Sequence, residues 1–78
     1  MLSKQLKLII TFYTSSEAMA TDKACKKEGI DGKLISAPRN ITADCGISYA
    51  TNISNKPKIT ELLSNNKITF EKMVEMEV

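Results

Sequence analysis

The stretch Leu6–Glu17, LKLIITFYTSSE, decides the fold because it joins a strand pattern directly to a helix signal. From Leu6 to Tyr13 the side chains alternate with a period of two, which predicts a β-strand with one buried face. The residues on that face are Leu6, Leu8, Ile10 and Phe12. Thr14 is followed three positions later by Glu17, the pattern of a capping box, so a helix is predicted to begin at once.

The first helix is predicted to run to about Glu28. Its inward face is small and only modestly apolar, and it consists of Ala18, Thr21, Ala24 and Cys25. Gly29 is a natural left-handed helix stop, and Ile30 after it is predicted to fold back on the last turn. Asp31-Gly32 then makes the turn into the next element.

Two further strands follow. The first is Lys33–Ala37, which Pro38 ends because proline has no amide hydrogen for ladder pairing. The second is Gly46–Ile53, where alternation resumes with Ile47, Tyr49 and Thr51 on one face. The segment between them is predicted to be a surface loop, the kind of segment on which functional residues collect.

The last two elements are a helix and a strand. Ser54–Pro57 predicts a helix entrance, with a capping side chain and then proline in the first turn. The apolar stripe of this helix is Ile59, Leu62 and Leu63, and Asn65-Asn66 is predicted to end it in the left-handed conformation. Ile68–Val78 alternates again with a break at Lys72, and its acidic outer face suits a solvated sheet face or an edge.

The element order is therefore strand, helix, strand, strand, helix, strand. Within one domain spanning residues 1–78, this order predicts an α+β, ferredoxin-like sandwich with a four-stranded antiparallel sheet and both helices on one face. The end of the first strand, the start of the first helix, the end of the second strand and the start of the third then share one sheet edge.

The loop at that edge, Pro38–Gly46 (PRNITADCG), holds the single arginine, Arg39, and one of the two cysteines, Cys45. We interpret Cys45 as a reactive thiol and Arg39 as the cation that keeps it ionised. Ser15 and Ser16, with the free amides of the first helical turn, would complete a small anion-binding site. Three ordinary alternatives remain open: Arg39 pairs with Asp44 or is simply a surface residue, the serines only cap the helix, and Cys45 is a structural residue. Cys25, on the apolar face of the helix, is predicted to be a buried hydrophobe.

Composition limits the function. The chain has no histidine, so it can form no Ser-His-Asp triad or Cys-His pair, and a private structural zinc site is not expected. The net charge of +2 comes from scattered basic residues, which argues against nucleic acid as a partner.

Hydropathy predicts the cellular compartment of the protein, and its size predicts its oligomeric state. No apolar run is long enough for a secretory signal or a membrane span, so a cytoplasmic protein with reduced thiols is expected. A domain of 78 residues is only marginally stable alone, and self-association as a homodimer is the expected supplement.

Several stretches together resemble the selenium/sulfur carrier protein-like family, a group of small bacterial domains. The resemblance covers nearly the whole chain and is densest from Leu34 to Ile47; the stretches are Phe12-Tyr13, Glu17-Ala18-Met19, Gly29-Ile30, Leu34-Ile35, Pro38-Arg39, Ile41 and Cys45-Gly46-Ile47. It implies transport of sulfur or selenium as a persulfide or perselenide on a cysteine, with Cys45 as the matching residue and Arg39 as its cation. Protein donors and acceptors would be the partners.

Two functional interpretations follow. In the first, the chain is a carrier rather than an enzyme, and it needs no cofactor. In the second, it is a non-covalent regulatory module in which the Arg39 loop binds a small anion or a protein, and Cys45 is incidental. A metallochaperone is disfavoured, since Cys25 and Cys45 lie on different elements.

Overall fold

The computed structural model describes residues 6–37 and 46–77, and within these ranges it confirms the ferredoxin-like α+β fold. The strands are β1 (Leu6–Thr11), β2 (Gly32–Ser36), β3 (Ile47–Asn52) and β4 (Lys72–Glu77). They form one antiparallel sheet in the order β2-β3-β1-β4. The helices are α1 (Ser15–Lys27) and α2 (Lys56–Asn65), and a 3₁₀ turn, Ile53–Asn55, precedes α2.

Helix α1 begins and ends as predicted. The Thr14 hydroxyl accepts a hydrogen bond from the Glu17 amide at 3.3 Å, and the Glu17 carboxylate accepts from the Thr14 amide at 3.2 Å. These reciprocal bonds form the capping box and satisfy two backbone donors at the helix start. At the other end, Gly29 has φ +74°, and the Ile30 amide donates to the Cys25 carbonyl at 2.8 Å. Ile30 is buried, so the chain folds back on the helix there.

The start of α2 differs from the prediction in its cap. Pro57 lies in the first turn as predicted, but the Asn55 side chain makes no capping hydrogen bond. Instead its amide donates to the Thr51 hydroxyl at 2.9 Å. That hydroxyl in turn donates to the Asp31 carbonyl at 2.6 Å, so Asn55 ties the helix entrance to β3 rather than capping the helix.

The end of α2 also corrects the prediction. The left-handed residue is Lys67, with φ +54°, and not Asn65 or Asn66. The Ile68 amide donates to the Leu63 carbonyl at 2.9 Å, which closes the same type of C-terminal motif that ends α1. The motif fixes which position turns left-handed, and here that position holds a lysine.

The hydrophobic core lies between the sheet and the two helices. Its fully or nearly fully buried members are Leu8, Ile10, Phe12, Ala18, Cys25, Ile30, Tyr49, Ile59, Leu62 and Leu63. The prediction that β1 has one buried face is wrong, because Ile9 and Thr11 on its other face are also 0% exposed. Strand β1 is central in the sheet, so its side chains are shielded by neighbours on both sides.

Strand β4 lies at one edge of the sheet, one of the two positions that its acidic residues suited. The predicted acidic outer face is wrong, because Glu75 pairs with the core residue Leu8 and therefore lies on the face that carries the helices. It begins later than the alternating pattern, at Lys72, while Ile68 and Phe70 precede it and pack against the core. The Lys56 ammonium, at the start of α2, pairs with the Glu75 carboxylate at 2.7 Å. The edge strand is therefore bound to the helical layer by a half-exposed ion pair.

Candidate functional site

One edge of the sheet collects the ends of several elements, and we call it the loop edge. Thr11, the last residue of β1, pairs with Ser48 of β3 on one side and with Lys72 of β4 on the other. Ser36, the last residue of β2, pairs with Ile47. The loop edge is defined by Thr11, Ser36, Ile47, Ser48 and Lys72. The predicted juxtaposition of these strand ends is confirmed.

The loop that carries the predicted site leaves the sheet and returns to it at the loop edge. The Ala37 amide donates a hydrogen bond to the Gly46 carbonyl at 3.0 Å, which closes the base of this loop. Gly46 has φ +73° and is exposed. Arg39 and Cys45 lie outside the described residues, so their roles stay predictions. Cys45 is nevertheless bonded directly to Gly46, and chain connectivity therefore joins it to the loop edge.

The start of α1 lies beside the loop edge, because only Phe12–Thr14 separate it from β1. The residue that caps the helix is Thr14, so the alternative in which Ser15 and Ser16 serve as caps is wrong. Both serines are exposed, and their amides, the first two of the helix, have no intrahelical acceptor. The Glu17 carboxylate also lies at this helix start, and its negative charge works against anion binding there.

Cys25, the other cysteine, lies in the hydrophobic core. It is 0% exposed on the inward face of α1, beside the Tyr49 hydroxyl. Burial raises the pKa of the Cys25 thiol, and the negative charge of Asp22 adds to the rise, while the Tyr49 hydroxyl partly offsets both. A buried, protonated thiol is a poor nucleophile, so the predicted structural role of Cys25 is confirmed.

Sequence reasoning missed a pair of hydroxyls at the loop edge. Thr11 and Ser48 face each other across β1 and β3 on the sheet face away from the helices. Both residues are 0% exposed, and neither hydroxyl has a hydrogen-bond partner. The signal in the sequence was two polar residues at outward strand positions near one edge, which reads as ordinary solvated surface.

A lysine lies in the same row as these hydroxyls. Lys72 pairs with Thr11 across β1 and β4, so Ser48, Thr11 and Lys72 lie side by side on one face of the sheet. Lys72 is exposed. In the sequence it was visible only as the residue that breaks the alternation of the last strand. The loop edge therefore carries a cation from a described strand in addition to the predicted Arg39.

The described ranges contain neither a metal centre nor a membrane-spanning helix. No group of three or more His, Cys, Asp or Glu side chains in residues 6–37 and 46–77 is arranged to hold a metal ion. In the same ranges, neither helix combines the length and the apolar character needed to cross a membrane.

The described residues define a small ferredoxin-like α+β domain. Residues 7–75 match the family described as "Putative Se/S carrier protein-like", and the chain belongs to that family. No curated protein and no solved structure matches the chain significantly. The resemblance read from the sequence is thus confirmed, and the family's description suggests a carrier rather than a catalyst.

Proposed function

We propose that this protein carries sulfur or selenium in the cytoplasm as a persulfide or perselenide on Cys45. It would receive the atom from a protein donor and release it to a protein acceptor. The observation that carries the proposal is the burial of the other cysteine, Cys25, at 0% exposure in a chain of a carrier-like family. A carrier cysteine has to meet its partners at the surface, and Cys45 is the cysteine left for that task.

The transfer step needs no outside oxidant or reductant. The Cys45 thiolate attacks the terminal sulfur of a donor persulfide, a new S–S bond forms, and the S–S bond of the donor breaks. The donor cysteine leaves as a thiolate, and the transferred sulfur keeps its proton. The balance is Cys45–S⁻ plus donor–S–SH gives Cys45–S–SH plus donor–S⁻. Release to an acceptor thiolate is the same exchange in reverse, and a perselenide follows the same balance.

The loop edge supports this chemistry electrostatically. The loaded atom is an anion once its proton is lost, so it is stabilised by nearby positive charge and hydrogen-bond donors. Arg39 would supply one charge from within the loop, and Lys72 lies at the loop edge itself. The amides of Ser15 and Ser16 at the start of α1 would supply donors with a partial positive charge, which the Glu17 carboxylate at the same helix start partly offsets.

Loading followed by mass spectrometry tests the proposal. The wild-type protein is incubated with a cysteine desulfurase and free cysteine without added reductant, and the intact mass is measured. We expect a gain of one sulfur atom on the wild type and on Cys25→Ala, and none on Cys45→Ser. Cys25→Ala is the matched control, because it removes the other thiol while leaving the loop unchanged.

The non-covalent interpretation predicts a different result. If Cys45 is incidental, the wild-type protein gains no sulfur, and Cys45→Ser binds partners as well as the wild type does. An unloaded wild type under these conditions would contradict the carrier function. Loading that survives in Cys45→Ser and disappears in Cys25→Ala would contradict the assignment of the cysteine.

A further inference from the structure

We propose that the Thr11 and Ser48 hydroxyls form a binding site for the anionic sulfur or selenium atom that the carrier holds. Lys72 provides the neighbouring positive charge. This inference rests on the proposed function, and it assigns to described strand residues the hydrogen bonds that a loaded atom would need.

The two hydroxyls are neighbours by strand pairing. Thr11 and Ser48 are directly opposite in the antiparallel register of β1 and β3. Side chains at such positions have Cβ atoms about 4.5–5.5 Å apart, so one acceptor atom can contact both hydroxyls. A Thr–Ser pair of this kind commonly forms its own cross-strand hydrogen bond. Here neither hydroxyl does, and both keep a free donor.

The unused hydrogen bonds are costly for the unloaded protein. A hydroxyl that is removed from water without a hydrogen-bond partner destabilises the folded state, and buried polar side chains in folded proteins are therefore nearly always paired. Among the described residues the Tyr49 hydroxyl is a third exception, but it lies inside the core beside Cys25. The other two exceptions, Thr11 and Ser48, are adjacent at one sheet edge, and this points to a partner that arrives in another state of the protein. An acceptor atom with a negative charge is the partner that two O–H donors bind best.

The surroundings of the pair favour an anion. The row across the sheet at this level is Ile35, Ser48, Thr11 and Lys72, and its one charged member is a cation. Glu71 precedes Lys72 in the chain, and its amide donates to the Thr11 carbonyl at 2.7 Å, so one carboxylate also lies near this row. Cys45 is three residues from Ser48 in the sequence, and a chain of that length spans at most roughly 10 Å. Because both hydroxyls are shielded from water, their bonds to an anion would not compete with solvent.

The test measures how long a loaded atom is kept. Wild type, Thr11→Val, Ser48→Ala and the double variant are loaded, challenged with excess free thiol, and followed by intact mass. Each hydroxyl removed should shorten the lifetime of the load by about tenfold or more, because hydrogen bonds to a charged group are stronger than those between neutral groups. Thr11→Ser, which restores the hydroxyl, should recover most of the lifetime lost in Thr11→Val.

Thr51→Val is the matched control. Thr51 is also a buried strand threonine, but its hydroxyl is hydrogen-bonded to Asp31 and Asn55, and it lies toward the far end of β3. This variant should lower the melting midpoint of the unloaded protein and leave the load lifetime as in the wild type. Thr11→Val and Ser48→Ala should show the reverse, with an unchanged or higher melting midpoint and a shorter lifetime.

The possible outcomes separate this inference from the carrier function. A wild type that loads, with variants that hold the atom equally long, would overturn the hydroxyl site and leave the carrier function intact. A marked fall in the melting midpoint of unloaded Thr11→Val and Ser48→Ala would also overturn it, because the hydroxyls would then have structural partners. A wild type that cannot be loaded would overturn both proposals together.

Discussion

The ring of Tyr49 lies directly over Gly32, so that a Cβ atom at position 32 would stand about 2.6 Å from the Tyr49 Cζ. Tyr49 is a fully buried residue of β3, and Gly32 is the first residue of the neighbouring strand β2. The same ring borders the Cys25 thiol on α1. The absence of a side chain at Gly32 therefore leaves space for the Tyr49 ring, which contacts both the edge strand β2 and helix α1.

Gly32→Ala should consequently destabilise the protein by about 1–3 kcal/mol, since an added methyl group would overpack this contact. Chemical denaturation of the two proteins measures the difference. In a Tyr49→Phe background, which removes the hydroxyl closest to position 32, the same substitution should cost less. An equal cost in both backgrounds would show that the Tyr49 hydroxyl is not what excludes a side chain there, which would leave the ring carbon and the Ala50 carbonyl, 2.8 Å from the same position, as the obstacles.

A second prediction concerns Lys67, whose φ of +54° ends helix α2. The left-handed conformation costs a residue with a side chain about 1–2 kcal/mol, and glycine avoids this cost. We expect Lys67→Gly to raise the free energy of unfolding by about 1 kcal/mol. Part of this gain is offset, because glycine increases the conformational entropy of the unfolded chain. Thermal or urea denaturation would measure it.

The control for Lys67 is its neighbour Asn66. Asn66 has φ −94°, and its side-chain amide donates to the Leu62 carbonyl at 2.8 Å. Asn66→Gly should therefore lower stability, because it loses a hydrogen bond and relieves no strain. A gain in stability at Asn66 with none at Lys67 would contradict the assignment of the left-handed residue.

Most of the fold was predictable from local patterns. The alternation of β1, the Thr14–Glu17 capping box and the Gly29 stop each act within a few residues, and the element order then selects one sheet topology. The prediction failed where a local sequence signal was compatible with more than one position for a structural feature. Asparagine at positions 65 and 66 suits a left-handed end, but the hydrogen bonds of the motif place the turn at Lys67.

The site was less predictable, because its components depend on pairing across strands. Thr11 and Ser48 look like solvated positions until the register of β1 and β3 brings them together and buries them. Lys72 joins them only because β4 begins at that residue. Burial of Cys25 was predictable from its place on the inward helix face, since helical spacing alone determines that.

A third prediction tests the start of α1. Thr14→Ala should lower the free energy of unfolding by about 1 kcal/mol, because the Thr14 hydroxyl accepts a hydrogen bond from the Glu17 amide. Ser16→Ala should change it by less than about 0.5 kcal/mol, since Ser16 is an exposed helical position that alanine suits well. Denaturant titration of both variants distinguishes them. A larger loss at Ser16 than at Thr14 would mean that the cap is misassigned.

A fourth prediction follows from the buried pair Cys25 and Tyr49. Burial raises the pKa of the Cys25 thiol from its ordinary value of 9.0 and raises that of the Tyr49 hydroxyl from 10.0. Above pH 9 the unfolded chain releases the thiol proton while the folded protein keeps it. The folded state then binds more protons, so the free energy of unfolding falls as the pH rises.

The size of this fall is about 1.4 kcal/mol per pH unit for each group that is ionised in the unfolded chain and protonated in the folded one. Stability measured by urea denaturation from pH 8 to pH 11 should decline from about pH 9 and more steeply above about pH 10. Cys25→Ala should remove the first decline and Tyr49→Phe the second, whatever each substitution costs at neutral pH. Because only the slopes are compared, a cavity left by either substitution does not affect the result.

A wild-type decline that persists unchanged in both variants would have to come from other groups, and the two side chains would then ionise as easily in the folded protein as in the unfolded chain.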